Sequence, residues 1–224
     1  MTLPILIIGA TGGVGQQLVK KYIECDEKVR LLVRDPVRAE KQFGSAPEYI
    51  VGDSRYPLTL PAAFEGIEQV ISTTGSRNPT GDNNPRQVDY EGVFNLVEIA
   101  KQHAIKHFVL VSSIAVTRPE HPLNKFGNVL DWKLKGEQAL RSSGLTYTIV
   151  RPGGLTDAPG GQSELIFAQG DQINGVISRA DVAEVCIQAL KFDRANNTTF
   201  EVIAGPGLAE TNWGTLFNLL QIGT

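Results

Sequence analysis

The first fifteen residues carry the pattern that most constrains the fold of this chain. Four apolar residues at 5–8, typical of a buried strand, run directly into Gly9, Gly12 and Gly15, and an amphipathic helical repeat follows. A strand, a tight glycine turn and a helix bring backbone N–H groups and the positive end of a helix to one point, which favours phosphate binding. Glycines allow the sharp turn, the close approach of a pyrophosphate and the close packing of helix on strand. We therefore predict that the turn binds the pyrophosphate of a dinucleotide through Gly9, Thr11, Gly12, Gly13, Val14 and Gly15.

The rest of the chain alternates between strand-like and helix-like segments. Apolar strand patterns recur at 28–33, 48–51, 68–73, 106–111, 145–150 and 198–203, and helical repeats separate them. Such alternation favours a parallel sheet covered by helices on both faces. We predict one doubly wound α/β domain over residues 1–224, with about seven parallel strands whose order reverses between the first and the fourth. Less regular segments at about 152–178 and 204–224 are predicted to form a small C-terminal cap over the substrate side.

Composition argues against several classes of partner. The 224 residues carry 21 basic and 24 acidic side chains, and the net charge of -3 favours neither nucleic acid nor an anionic membrane as a partner. No apolar run approaches the roughly 20 residues of a membrane-spanning helix, and the N-terminal residues lack a signal-peptide pattern. Cys25 and Cys186 lie far apart without metal-ligand spacing, which is typical of thiols in a reducing compartment. We expect a cytoplasmic protein that uses no metal and acts on a small molecule.

The end of the second strand indicates which dinucleotide binds. About 20 residues past the glycines, where NAD-binding folds place an acidic residue, this chain has Arg34. A guanidinium can hold a 2′-phosphate through two charge-assisted hydrogen bonds. We predict NADP(H), with Arg34 as the main phosphate ligand and Arg38 in support; the alternative is that both are solvated surface charges. Asp35 followed by Pro36 is predicted to cap the next helix. Asp53 is a candidate acceptor for the adenine amino group or an ordinary turn aspartate.

Polar residues and glycines follow the fourth, fifth and sixth strands, at the end of the sheet where such folds bind ligands. We predict that the cofactor crevice is lined by Thr74, Gly75, Ser112, Ser113, Pro152 and Gly153. The serines have an alternative role, which is to finish the strand with local hydrogen bonds. Residues 76–86 are rich in Pro, Asn and Gly, which predicts a loop over the crevice. Lys133 and Glu137 lie one turn apart on a predicted helix over 129–144, and we expect both on its polar face.

The chain resembles a known family in segments that cover nearly its whole length. These segments are GATGGVG at 9–15, LLVRDP at 31–36, GD at 52–53, FVLVSS at 108–113, HPLNKFGN at 121–128, RPGGL at 151–155 and SRADVAEVCIQAL at 178–190. They are similar to the atypical short-chain dehydrogenase/reductases, the NmrA-like and biliverdin-reductase-B-like group. The last three segments are most similar to small plant and cyanobacterial NADP-binding members. The resemblance implies a Rossmann fold, bound NADP(H) and reductase chemistry.

The chain departs from this family at the position of the catalytic tyrosine. Major members use a Tyr-x-x-x-Lys pair together with a serine from the end of the fifth strand. Their tyrosine donates the proton, and their lysine lowers the tyrosine pKa and binds the nicotinamide ribose. The resemblance aligns Lys133 with that lysine and leaves Val129 in the tyrosine position. Valine cannot donate a proton. Of the nearest spare tyrosines, Tyr90 and Tyr147, the second lies in a predicted strand and is expected to be packed.

Three mechanisms are open for such a site. Hydride transfer to a flavin, a quinone or a conjugated tetrapyrrole needs little acid help, so proximity and orientation suffice and solvent supplies the proton. Alternatively, Lys133 or Ser113 donates or relays the proton. In the third case the protein binds NADP(H) without turnover and reports the redox ratio to a partner. We predict an NADPH-dependent reductase of the first kind, with the sensor as the alternative. Its apolar pocket is expected near Ile114, Phe126, Leu155 and Phe167.

Overall fold

The computed structural model describes residues 3–208 and 211–223, which form an eight-stranded sheet, a separate two-stranded sheet and seven α-helices. The strands are β1 (Ile5–Ile8), β2 (Val29–Val33), β3 (Glu48–Val51), β4 (Gln69–Ser72), β5 (His107–Val111), β6 (Tyr147–Pro152), β7 (Gly154–Thr156), β8 (Leu165–Ala168), β9 (Val176–Ser178) and β10 (Thr198–Ala204). The helices are α1 (Gly13–Glu24), α2 (Pro36–Phe43), α3 (Pro61–Phe64), α4 (Gly92–Gln102), α5 (Val129–Arg141), α6 (Arg179–Ala189) and α7 (Trp213–Asn218).

The large sheet has the strand order β3-β2-β1-β4-β5-β6-β10-β8. Every neighbouring pair is parallel except β10 and β8. The strand order reverses between β1 and β4, which confirms the predicted doubly wound α/β fold. An eighth strand is present because residues 165–168 join the edge of the sheet in the antiparallel direction. The reversal opens a crevice at the carboxyl ends of β1 and β4, where ligands of such sheets bind.

Both faces of the large sheet are covered by helices. One core cluster joins the sheet to α1, α2, α6 and α7, and the other joins it to α3, α4 and α5. Successive strand residues serve opposite clusters, so that Ile7 and Leu31 face the first while Leu6 and Leu32 face the second. Strands buried on both faces need apolar side chains at consecutive positions, which explains the uninterrupted apolar runs of β1 and β2. In the described part of the chain, no helix is long and apolar enough to cross a membrane.

Two local elements depart from the sequence-based assignment. The helix between β4 and β5 begins with a π-helical turn, Arg86–Glu91, before α4 continues in α-helical geometry. The strands β7 and β9 pair with each other in the small parallel sheet. Each has only three residues, which is too short to show a hydrophobic period, so the sequence did not indicate them.

The predicted cap divides between the two ends of the large sheet. β7 follows directly after β6 and lies at the crevice end. α7 lies at the opposite end, because the N–H of Gly223 donates to the carbonyl of Asn197 at 2.8 Å, just before β10 begins. Phe217 of α7 packs edge-on to Phe167 and Phe200 in the core. The prediction of a crevice-side cap is therefore wrong for residues 211–223, and Phe167 belongs to the core instead of the expected substrate pocket.

Candidate functional site

The glycines of the turn between β1 and α1 leave backbone without side chains of its own at the start of the helix. Gly9 has φ of +83°, and a Cβ atom there would lie 2.8 Å from Thr73 Oγ1. A Cβ atom on Gly15 would collide with the carbonyl oxygen of Gly9. The first N–H groups of α1 have no carbonyl partner within the helix, as at any helix start. Val14 is buried in the core, so it offers only its backbone. This surface fits the pyrophosphate of a dinucleotide.

Two arginines that the sequence analysis did not single out flank this turn. Arg77 Nη2 lies 4.0 Å from the position that a Cβ atom on Gly12 would take. Arg179, the first residue of α6, lays its Cδ atom 2.5 Å from the corresponding position on Gly13. Arg179 Nη1 also donates to Asp157 Oδ1 at 2.7 Å. Both guanidinium groups therefore lie beside the place where a pyrophosphate would bind.

The carboxyl end of β2 presents the two arginines predicted to bind a 2′-phosphate. Arg34 and Arg38 are both exposed. Arg34 Nη1 donates to Asn83 Oδ1 at 2.9 Å, and Asn83 lies in the loop that follows β4. The N–H of Arg38 donates to Asp35 Oδ1 at 3.0 Å, which confirms that Asp35 caps α2. The cap turns Asp35 toward its own helix, while the Arg34 side chain contacts Asn83.

Asp53 does not present a free carboxylate to an adenine. Arg55 Nη2 lies 2.6 Å from Asp53 Oδ2, and Arg55 Nε donates to Asp53 Oδ1 at 3.0 Å. Burial alone would raise the pKa of Asp53, but the hydrogen bonds and the charge of Arg55, assisted by Arg34, lower it. Arg55 also donates to the carbonyl of Asp82. Asp53 thus positions Arg55, which the sequence analysis did not single out.

Lys133 and Asp89 form an ion pair at the opposite end of the crevice. Lys133 Nζ lies 2.7 Å from Asp89 Oδ1; the Asp89 side chain is fully buried and that of Lys133 is 16% exposed. Asp89 lies in the π-helical turn, and its second oxygen accepts from the N–H of Ser76 at 3.2 Å. A Cβ atom on Gly75 would lie 3.8 Å from both Lys133 Nζ and Asp89 Oδ1. The chain therefore passes at Gly75 beside the lysine that the resemblance aligns with the catalytic one.

A small cavity next to this ion pair gathers predicted site residues from the ends of β4 and β5 and from α5. Thr74 and Ser112 line it together with Lys133 and Asp89. Ser112 Oγ is buried and has no hydrogen-bond partner among the described residues, so it is available to a ligand hydroxyl. Ser113, the predicted catalytic serine, is half-buried one position later. Of the two serines, Ser112 is the one that shares the cavity with Lys133.

The helix α5 begins with a residue whose side chain carries no hydroxyl. Val129 is the first residue of that helix and packs against the cluster of Ala115, Val116 and Leu130. The ring of Tyr90 stacks on Trp132 with 5.9 Å between centroids. Tyr147 is buried in the core, as predicted.

A buried charge network joins α5, the helix that carries Lys133, to the sheet. Glu137 is fully buried instead of lying on a polar face, so that expectation was wrong. It accepts from Arg151 Nη2 at 2.7 Å and Nε at 3.0 Å, and Arg151 Nη1 donates to Glu201 Oε1 at 3.0 Å. Burial opposes the charge of Arg151, but Glu137 and then Glu201 outweigh it and raise its pKa. The partners come from β6 and β10, which spacing within α5 could not predict.

Pro152 and Gly153 are both buried where β6 ends. The carbonyl of Pro152 accepts from the N–H of Ile114 at 3.1 Å, and the N–H of Gly153 donates to the carbonyl of Val202 at 3.0 Å. A Cβ atom on Gly153 would lie 2.5 Å from the carbonyl oxygen of Gly175. These contacts hold the segments after β5 and β6 side by side at the crevice end of the sheet.

The chain is similar to known proteins along most of its length. A family model described as NAD(P)H-binding matches residues 9–193. Sanguinarine reductase of Eschscholzia californica is 36% identical over 261 residues, covering 96% of this chain and 95% of the relative. A Bacillus halodurans structure, named as a candidate NAD-dependent epimerase/dehydratase, is 25% identical with a TM-score of 0.84 over 98% of this chain and 100% of that one. ChuY of Escherichia coli O157:H7, described as an anaerobillin reductase, is 25% identical with a TM-score of 0.74 over 91% and 98% of the two chains.

Proposed function

The chain belongs to the NAD(P)H-binding family, and we propose that within it the protein is an NADPH-dependent reductase of a conjugated acceptor. The observation that carries this proposal is the buried Lys133–Asp89 ion pair beside Gly75, with Val129 where a tyrosine would stand. Two of its relatives are named as reductases. The resemblance to the atypical short-chain dehydrogenase/reductases narrows the proposal to that subgroup.

In this proposal each end of the crevice holds one part of NADPH. The glycine turn holds the pyrophosphate, with Arg77 and Arg179 beside it, and Arg34, supported by Arg38, holds the 2′-phosphate. Lys133 binds the nicotinamide ribose from a position that Asp89 holds. The remaining crevice residues are proposed to contact the ribose or the nicotinamide ring: Thr74, Gly75, Ser112, Pro152 and Gly153.

The proposed acceptor class follows from the missing proton donor. The bound nicotinamide supplies a hydride, and the chain holds donor and acceptor at contact, an effect worth roughly 7–11 kcal/mol. Val129 offers no proton, so an acceptor that stabilises its own negative charge suits the site, with solvent as the proton source. A flavin, a quinone or a conjugated tetrapyrrole has this property. For an acceptor that needs acid help, Lys133 is the better placed donor, and Ser113 is the second candidate.

Oxidation of NADPH in the presence of chemically different acceptors tests the proposal. We expect absorbance at the NADPH band to fall with at least one flavin, quinone or tetrapyrrole, and Lys133→Ala to slow this reaction at least about 10-fold, the scale of one charged hydrogen bond. Lys135→Ala, which removes an exposed lysine from the same helix, should keep the wild-type rate. NADPH binding without oxidation across the whole panel would contradict the reductase.

A second candidate function is a non-catalytic NADP(H) sensor. It is favoured by the crevice loop, residues 76–85, which contacts Arg34 through Asn83 and passes close to Gly127 through Pro79 and Pro85. A loop attached at both ends of the crevice could report which cofactor is bound. Hydrogen exchange in this loop should then differ between the NADP⁺ and NADPH complexes, whereas a reductase requires no such difference.

The charge and the cysteines of the chain bear on its binding partners and its cellular location. We propose a small-molecule substrate and neither nucleic acid nor membrane as a partner, because the chain carries a net charge of -3. A cytoplasmic location is supported by Cys25 and Cys186, which are both free thiols. Fractionation of cells that express the tagged protein would test the location.

A further inference from the structure

The contact between Arg34 and Asn83 occupies the guanidinium that the proposed function assigns to the 2′-phosphate. Arg34 Nη1 donates to Asn83 Oδ1 at 2.9 Å, and the two residues are 49 positions apart in the chain. The next residue, Asn84, is turned away, because its side chain bonds to Gly81 in the same loop and to Gln87 in the π-helical turn that follows. Asn83 is thus the side chain of the crevice loop that faces Arg34.

The neighbouring residue attaches the loop to the same end of the crevice. Arg55 donates to the carbonyl of Asp82, while Asp53 holds the Arg55 side chain in place. Two arginines therefore bind two consecutive loop residues, Asp82 and Asn83. Only the Arg34 contact uses an arginine that a phosphate would need, since Arg55 is already paired with a carboxylate.

A phosphate and an amide oxygen compete unequally for a guanidinium. Asn83 offers a neutral acceptor, whereas a 2′-phosphate offers several charged oxygens that form hydrogen bonds about twice as strong. We propose that Asn83 is a specificity-determining residue that competes with the 2′-phosphate of NADP(H) for Arg34. This inference rests on the proposed function. Phosphate binding displaces the amide from Arg34, and NAD(H), which lacks the phosphate, leaves the contact intact.

Binding constants of the full-length protein for NADPH, NADH and 2′-AMP test this role. Asn83→Ala removes the competitor, so it should tighten NADPH and 2′-AMP about 3- to 10-fold, the range of one neutral hydrogen bond, and leave NADH unchanged. Asn83→Asp replaces the competitor with a charged one and should weaken NADPH and 2′-AMP about 10-fold. Asn218→Ala, an exposed asparagine in α7 at the opposite end of the sheet, should bind all three ligands like the wild type.

The outcomes separate this inference from the cofactor assignment. Weaker or unchanged NADPH binding by Asn83→Ala would overturn the competition, because a direct phosphate ligand or a bystander gives those results. If Arg34→Ala still weakens NADPH selectively, the NADP(H) assignment survives that failure. If Arg34→Ala affects NADPH and NADH equally, both the assignment and the competition are overturned.

Discussion

The two ends of the crevice hold their charged side chains in opposite ways. At the end proposed to bind adenosine (the adenosine end), Arg34 is exposed and bonds to a neutral amide on a loop. At the end proposed to bind nicotinamide (the nicotinamide end), the Asp89 carboxylate is fully buried and bound to Lys133, and Glu137 and Arg151 are buried and paired with each other. An exposed charge can exchange partners at little cost, whereas a buried charge that loses its partner costs several kcal/mol. The first arrangement suits selection of a cofactor, and the second suits fixed positioning of its reactive end.

Removal of Glu137 is the strongest test of the difference between buried and exposed charges. Glu137→Ala should lower the free energy of unfolding by about 3–5 kcal/mol, because it leaves the buried Arg151 with Glu201 as its remaining carboxylate partner. Urea denaturation at neutral pH measures the loss. Glu98→Ala, which breaks an exposed pair with Lys101 on α4, is the control and should change little. Equal losses in the two variants would mean that burial does not distinguish these pairs.

The adenosine end is tested through binding instead of stability. Arg34→Ala should weaken NADPH binding by roughly 1.5–3 kcal/mol, the scale of hydrogen bonds to a charged group, and leave NADH nearly unaffected. Calorimetric titration with both cofactors measures the difference. Stability should stay close to that of the wild type because Arg34 is exposed. A large loss of stability would show that the exposed end is as tightly coupled to the fold as the buried end.

The pH dependence of stability tests how burial fixes the protonation state of one side chain, His107. His107 lies at the start of β5 with Nε2 2.8 Å from Thr148 Oγ1, and burial lowers its pKa from 6.5 to about 4. Below pH 6.5 the unfolded chain takes up a proton that the folded chain excludes, so stability falls as the pH drops toward 4. Between pH 7 and pH 5 this loss is about 2 kcal/mol.

Comparison with His107→Asn isolates this effect. Groups common to both proteins, including Glu201, whose pKa burial raises, cancel in the difference of the two stability curves. The difference should decline from pH 7 to pH 5 and be flat above pH 7. A difference that is constant over the whole range would refute the neutral buried state of His107.

The smallest expected effect concerns the pair beside the glycine turn. Asp157 is 92% exposed, and its bond to Arg179 should contribute below about 0.5 kcal/mol to stability, as exposed pairs do. Asp157→Ala should therefore unfold at the same urea concentration as the wild type. Because this substitution frees Arg179 for the pyrophosphate, NADPH and NADH should bind equally well or slightly better. A selective change for one cofactor would contradict a position beside the shared pyrophosphate.

Local patterns predicted the elements that depend on neighbouring residues. The apolar runs of β1 and β2, the glycine turn and the Asp35 cap each follow from residues within a few positions of one another. Alternation of these elements was enough to predict the sheet reversal between β1 and β4. The role of Arg34 stays a prediction, although its place at the end of β2 agrees with it.

Contacts between distant segments escaped the same reasoning. Glu137 looked solvated because its helix neighbours are polar, yet it is buried and paired with Arg151 of β6, which also bonds to Glu201 of β10. Asp89 had no local signal, because its partner Lys133 lies 44 positions later on another helix (133 − 89). α7 has an amphipathic pattern that fits either end of the sheet, and the core around Phe167 and Phe200 decided where it lies.

The sequence by itself determined that this chain forms a dinucleotide-binding sheet with an arginine at the end of its second strand, because strand periodicity, glycine geometry and capping act over a few residues. The tertiary structure alone decided what each charge meets: Asn83 at Arg34, Asp89 at Lys133 and carboxylates around Arg151. Those pairings depend on which segments the sheet order brings together. The same packing decides whether a charged side chain is buried and fixed to one partner, or exposed and able to exchange partners.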